Sequence, residues 1–137
     1  MLPVSLTFAA ALALLNLFLA YRIVRVRIAT KTMNGDGGHP LLQGRTRAQA
    51  NFVEYAPFAL GLVVLLELAR RPHGILWAIT ALFVAGRIAH AFGLERPAPN
   101  PLRAGGILVT WVVLLGLAGW AIVVASTPMP GATVTYM

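Results

Sequence analysis

The chain has 137 residues, of which 58% are hydrophobic and only 11% charged, and its mean hydropathy is +0.77. This composition excludes an ordinary soluble domain, and since a spanning helix takes about 20 apolar residues, the length fits about four spans with short connections. The formal charge of +7 does not indicate a nucleic-acid partner, because the basic residues lie at the ends of apolar segments and not in a soluble basic domain.

Four apolar segments are predicted to be transmembrane helices, because a helix satisfies its backbone polar groups within the segment. They cover Leu2–Ile28, Ala48–Leu68, Ile75–Leu94 and Leu102–Ser126. The predicted fold class is all-α, an integral membrane four-helix bundle with one domain over residues 1–126 and a disordered tail over residues 127–137. Glycines within and beside the segments are expected to allow close helix packing: Gly61, Gly86, Gly105, Gly106, Gly116 and Gly119.

The first segment lacks the basic n-region of a signal peptide, so it is predicted to be a retained helix. It ends in "RIVRVR", where Arg22, Arg25 and Arg27 are expected mainly to reach the lipid headgroups. At most one or two of them need to point into the bundle. The following "TKTMNGDGGHPLLQG" is predicted to be an exposed, turn-forming loop.

The second segment carries a polar stripe at helical spacing. Arg47, Asn51 and Glu54 are spaced i, i+4, i+7, and we expect Glu54 to be a buried carboxylate. A glutamate inside a membrane segment indicates a functional site, although an ion pair between Arg47 and Glu54 that fixes packing is an alternative of almost equal weight. Glu67 is expected to form a surface pair with the arginines that follow the segment.

The third and fourth segments add further polar groups. Arg87 and His90 are spaced i, i+3, and Arg103 begins the fourth segment after the proline-rich "ERPAPNP". His90 alone is more typical of an interhelical hydrogen bond than of a ligand contact, and Arg103 alone is typical of an interfacial anchor. Together with Arg87 and the polar stripe of the second segment, His90 and Arg103 indicate a pocket.

The basic residues also predict an orientation. Lys and Arg are enriched in cytoplasmic loops of membrane proteins. Loops one and three are therefore expected in the cytoplasm of a bacterium, with both termini on the outer side of the inner membrane. The residues that decide this are Arg22, Arg25, Arg27, Lys31, Arg45 and Arg47 around loop one and Arg96 and Arg103 around loop three, against Arg70 and Arg71 on the other side.

Such a pocket suits a zwitterionic ligand with more carboxylates than amines, because arginines bind carboxylates in a fork and Glu54 can take the ammonium. The chain has no cysteine, so thiolate metal sites and a protein-borne cysteine nucleophile are excluded, and no metal is expected. Any sulfur chemistry must use a thiol brought by a substrate.

The stretch "RAQANFVEYAPF" resembles the helix-two signature of the MAPEG family, membrane-associated proteins in eicosanoid and glutathione metabolism. Matching positions are Arg47-Ala48, Asn51, Glu54 and Pro57, and Gln49 and Tyr55 extend the match to a glutathione transferase of the family. The "NGDGG" of residues 34–38 resembles small bacterial members. The "RIAH" of residues 87–90 and its spacing to Arg103 resemble a synthase of the family.

This resemblance implies a homotrimer that binds glutathione as co-substrate between subunits at the cytoplasmic side. It implies that Arg103 is the catalytic residue, which stabilises the glutathione thiolate for attack on a lipophilic electrophile or a lipid hydroperoxide. The expected glutathione-binding residues are Arg25, Arg47, Asn51, Glu54, Tyr55, Arg87 and His90, with Arg27 as the alternative to Arg25.

The chain departs from those synthases on the third helix, where Phe92 and Leu94 replace tyrosines that contact glutathione. A non-catalytic scaffold that binds membrane lipid is therefore an alternative function. A proton-coupled multidrug exporter is a weaker one, because those exporters carry their glutamate in helix one, where this chain has only Asn16. The sequence does not identify the electrophile or distinguish glutathione from another small thiol.

Overall fold

A computed structural model describes residues 1–70 and 73–127, leaving aside the side chains of Arg70 and His73. Within these residues the chain forms four helices, and each is long and apolar enough to cross a membrane. The predicted all-α four-helix membrane fold is confirmed. The helices are α1 (Pro3–Thr30), α2 (Pro40–Arg70), α3 (His73–Gly93) and α4 (Pro101–Ser126). The predicted disordered tail, apart from Thr127, and the topology residue Arg71 lie outside the described residues.

Helix α2 begins at Pro40, well before the predicted start at Ala48. Proline is favoured in the first turn of a helix, because the N–H that it lacks has no intrahelical partner there. Hydropathy marks where a helix enters hydrocarbon, and it misses the polar turns that continue the helix beyond that boundary. The exposed first loop is therefore only residues 31–39, and Gly35, Gly37 and Gly38 turn the chain there with positive φ angles.

Two of the predicted packing glycines bring α3 and α4 into backbone contact. A Cβ built on Gly106 would lie 2.6 Å from both the carbonyl oxygen of Gly86 and the backbone nitrogen of His90. A Cβ on Gly86 would lie 2.8 Å from Cγ1 of Val109. Within the single chain the other four, Gly61, Gly105, Gly116 and Gly119, have open space around them and bring no helices together.

Helix α1 packs on α2 and α3 through an apolar core. The rings of Phe8 and Phe83 meet edge to face with their centroids 5.7 Å apart, a favoured arrangement for aromatic pairs. The main core cluster includes Val4, Leu12, Phe52, Val63, Leu76 and Leu117, and a smaller separate cluster at the basic end consists of Ile23, Val26 and Leu42.

Glu67 joins the far end of α2 to the start of α1. Its carboxylate accepts hydrogen bonds from the backbone N–H of Val4 at 3.1 Å and of Ser5 at 2.8 Å, and from the Ser5 hydroxyl at 2.6 Å. The first N–H groups of a helix lack intrahelical partners, and its positive end attracts an anion. The predicted surface position of Glu67 was wrong, because its side chain is completely buried at this helix start.

Replacement of Gly106 by alanine is expected to lower the stability of the bundle. The added methyl group would overlap backbone atoms of α3, and overpacking of this kind costs about 1–3 kcal/mol. The midpoint of thermal unfolding in detergent should fall in Gly106→Ala. Gly116→Ala, on the same helix but in open space, is the matched control and should keep the wild-type midpoint of unfolding. Equal midpoints for the two variants would contradict the close packing of α3 and α4.

Candidate functional site

A cavity of about 440 Å³ opens between α2, α3 and α4. We call it the first cavity, and it lies at the basic end of the bundle, where α1 and α3 end and α2 and α4 begin. Its polar lining includes Arg47, Asn51, Tyr55, His90 and Arg103, together with Asn100 at the start of α4 and the indole of Trp111. The cavity therefore brings together five of the residues that the sequence singled out.

Helix α2 supplies one wall through side chains one helical turn apart. Arg47 is exposed, while Asn51 and Tyr55 are half-buried. The Tyr55 oxygen accepts a hydrogen bond from Nε1 of Trp111 at 3.2 Å, which leaves its own hydrogen available to donate to a ligand. Trp111, which sequence reasoning did not single out as a site residue, also lines the cavity.

Beneath this wall, Arg87 is the largest fully buried side chain, with an exposed fraction of 1%. Its Nη2 donates to Oδ1 of Asn51 at 2.7 Å, and its Nη1 donates to Oγ1 of Thr110 at 3.2 Å. The guanidinium also lies 5.6 Å from the centre of the Tyr55 ring, a cation–π distance. Arg87 thus links α3 to α2 and α4, and it acts on the cavity through Asn51 without lining it.

Glu54 follows Asn51 on the same helix. The Asn51 Nδ2 donates to Oε2 of Glu54 at 3.3 Å, so the carboxylate is joined to Arg87 through one amide. The expectation that Glu54 is buried was wrong for the single chain, because its side chain is exposed on the outer face of α2. It lies beside the first cavity and not in its lining.

The backbone at Arg103 is held from two sides. Asn100 caps α4, since its Oδ1 accepts from the backbone N–H of Leu102 at 3.0 Å and of Arg103 at 3.4 Å. Nδ1 of His90 lies 2.8 Å from the carbonyl oxygen of Arg103 and must donate, because a carbonyl only accepts. Neutral His90 therefore keeps Nε2 as an acceptor.

The close approach of α3 completes this arrangement. A Cβ on Gly93 would lie 2.3 Å from the backbone nitrogen of Arg103, so only glycine fits there without displacement of α4. The Arg103 side chain itself is exposed at the cavity. An exposed arginine side chain is thus attached to a backbone position that α3 and the Asn100 cap hold tightly.

The structure does not bring the helix-one candidates to the first cavity. Arg25 is exposed beside the ring of Tyr21, with its guanidinium 6.0 Å from the ring centre. Arg27 instead donates to the carbonyl oxygens of Thr32, Met33 and Gly35 and so organises the first loop. Neither arginine lines the first cavity of its own chain.

Comparison with known proteins now identifies the family. The sequence pattern of the MAPEG family matches residues 5–123. The chain belongs to the MAPEG family. It is also 31% identical over 112 residues to the inner membrane protein YecN of Escherichia coli, in strain K12 and in strain O6:H1, and the match covers 82% of this chain and 85% of each relative.

This MAPEG protein contains a charge network that sequence reasoning missed. Glu95, just beyond α3, forms ion pairs with Arg22 of α1 and, at 3.5 Å, with Nε of Arg45 on α2. Among the three arginines at the end of α1, of which at most one or two were expected to point into the bundle, Arg22 does so: it is buried and lies 4.4 Å from the centre of the Phe92 ring. The sequence signal that could have indicated this network is that Glu95 is the one acidic residue of the third loop, residues 94–100.

Replacement of Glu95 by glutamine is expected to loosen the third loop. It leaves Arg22 buried without its counter-charge, and breaking a buried ion pair costs about 3–5 kcal/mol. Amide hydrogen exchange in residues 94–100 should therefore accelerate in Glu95→Gln. The change bears on the first cavity, because Leu94, Ala98, Pro99 and Asn100 of this loop line it. Glu54→Gln is the matched control and should leave exchange in this loop unchanged. Similar acceleration in both variants would show that the Arg22–Glu95 pair does not anchor the loop.

Proposed function

We propose that this MAPEG protein is a membrane glutathione transferase that activates the glutathione thiol in the first cavity for attack on lipophilic electrophiles. One observation carries the proposal. Arg47 and Arg103 both face this cavity, and neither forms an ion pair with a carboxylate among residues 1–70 and 73–127. Two unpaired guanidinium groups at a polar cavity favour an anionic ligand.

The chemical groups of glutathione match the groups around the cavity. A guanidinium group binds a carboxylate through two parallel N–H···O hydrogen bonds, and Arg47 can bind one of the two glutathione carboxylates in this way. Asn51 and the Tyr55 hydroxyl can bind the peptide groups of glutathione. The ammonium group needs an anion, and Glu54 is the nearest candidate on α2. Since an exposed carboxylate within a membrane-spanning helix is costly, we propose that a neighbouring subunit covers Glu54 and completes the site in a homotrimer.

Arg103 is the proposed catalytic residue. A fixed guanidinium beside the sulfur stabilises the thiolate over the thiol, and the proton leaves to water at the open side of the cavity. The thiolate then donates its electron pair to an electrophilic carbon, which forms a carbon–sulfur bond. The leaving group departs with its electron pair, or the electrophile takes up a proton when the reaction is an addition. Reduction of lipid hydroperoxides is the related peroxidase reaction, with the hydroperoxide as oxidant.

The proposed location follows from the relatives and the charge distribution. We place the protein in an inner membrane with its basic end in the cytoplasm, where a charged tripeptide is supplied. The electrophile is proposed to enter from the bilayer, because the surfaces of the helices between their ends are apolar. Arg25 has a role in this arrangement only if it reaches the site of a neighbouring subunit.

A second candidate function is a lipid-binding scaffold. Part of the first-cavity lining is apolar, with Leu94 of the third loop and Ala104 and Ile107 of α4, where hydroxyl groups would strengthen binding of a polar tripeptide. The scaffold requires lipid binding without thiol ionisation, so a thiolate measurement separates the two functions.

Stopped-flow ultraviolet difference absorbance of the purified protein mixed with glutathione tests the proposal. Near neutral pH the wild type should show an absorbance rise from bound thiolate. Arg103→Ala should raise the pKa of the bound thiol by about one unit, or about 1.4 kcal/mol, and so lower the amplitude, by up to about tenfold at a pH below that pKa. Lys31→Gln removes a positive charge from the same end at an exposed residue outside the first cavity and should retain the full amplitude.

Two results would contradict the transferase proposal. Absence of both a thiolate signal and saturable glutathione binding in the wild type would leave the scaffold as the better account. A full signal in Arg103→Ala would preserve thiol activation but exclude Arg103 as the group that produces it.

A further inference from the structure

A second cavity, of about 720 Å³, lies next to the first at the basic end. It is bounded by the start of α2 and by the third loop, which touch directly. Gly44 lies at this contact, and a Cβ there would be 2.6 Å from the carbonyl oxygen of Leu94. The missing side chain therefore lets two backbone segments form the base of this second cavity.

The second cavity is positively charged. Its ionisable lining residues are Arg47, Arg96, Arg103 and Glu95. Glu95 is already neutralised by Arg22 and Arg45, as described above, so it does not offset the three arginines. None of those three forms an ion pair among the described residues. Arg96 is the member of this set that lines the second cavity and not the first.

The remaining wall is apolar. Pro40, Leu41, Leu94 and Pro97 line it, and Leu41 exposes 43% of its surface. The cavity is therefore amphipathic, and it lies where the polar first turns of α2 precede the apolar span. This is the level at which a lipid places a charged headgroup above its acyl chains.

We propose that the second cavity binds a phosphate-bearing anion, and that this anion is the headgroup of an anionic phospholipid. Arginine is the side chain best suited to phosphate, because its planar fork offers two parallel N–H donors. A free phosphate ion would use the arginines but not the apolar wall, whereas a phospholipid uses both. The site requires no thiol, and it shares Arg47 and Arg103 with the first cavity while Arg96 belongs to it alone.

Isothermal titration calorimetry of the detergent-purified chain, without any thiol, tests this site. The titrants are mixed micelles of phosphatidylglycerol, mixed micelles of phosphatidylcholine with the same acyl chains, and inorganic phosphate. Phosphatidylglycerol should bind most tightly. Arg96→Gln should weaken its binding by about tenfold, the loss expected for one charge-assisted hydrogen bond. Lys31→Gln, which removes a charge outside the cavity, should change it by less than about twofold.

Each contrary result overturns a defined part of the proposal. Equal binding of the two lipids, or equal losses in Arg96→Gln and Lys31→Gln, would mean that diffuse positive charge and no built site attracts the lipid. Inorganic phosphate that binds as tightly as phosphatidylglycerol, with the same dependence on Arg96, would assign the cavity to a soluble phosphate. Arg96 is exposed in a loop, so unchanged circular dichroism and elution volume are expected and exclude misfolding.

Discussion

The arrangement at the basic end depends on a guanidinium buried inside the helix bundle. Arg87 has an exposed fraction of 1%, and a charge at this depth is costly unless polar groups surround it. Asn51 of α2 and Thr110 of α4 accept hydrogen bonds from it, so one side chain joins α3 to both of these helices. These are the three helices that line the first cavity, and the hydrogen bond from Arg87 to Asn51 also orients the cavity wall.

The second constraint is backbone contact between α3 and α4, which fixes the position of the proposed catalytic arginine. Gly93 and Gly106 allow the helices to touch, the Asn100 cap determines where α4 begins, and His90 binds the Arg103 carbonyl. Electrostatic catalysis requires a charge that is positioned before the reaction starts. The backbone of Arg103 is held by these contacts, and its side chain forms no ion pair with a carboxylate within the described ranges. It therefore meets that requirement better than a mobile surface lysine would.

The four spans and the polar stripe of α2 could be predicted because hydropathy and helical spacing are local properties. The partners of the carboxylates could not, because they lie far apart in the sequence: Glu67 binds the start of α1, and Glu95 pairs with Arg22, 73 residues away. The early start at Pro40 was missed because the first turns of α2 are polar. The exposure of Glu54 was missed because spacing defines a face of a helix without showing which neighbour covers it.

The central claim is that the first cavity holds a thiol tripeptide with its sulfur at Arg103. The most direct measurement is an electron cryo-microscopy structure of the protein in lipid nanodiscs with an S-alkyl glutathione bound. The account predicts ligand density in the first cavity, with a carboxylate at Arg47, the sulfur nearest Arg103, and Glu54 covered by a neighbouring subunit of a trimer. Ligand density elsewhere, or a sulfur remote from Arg103, would contradict it.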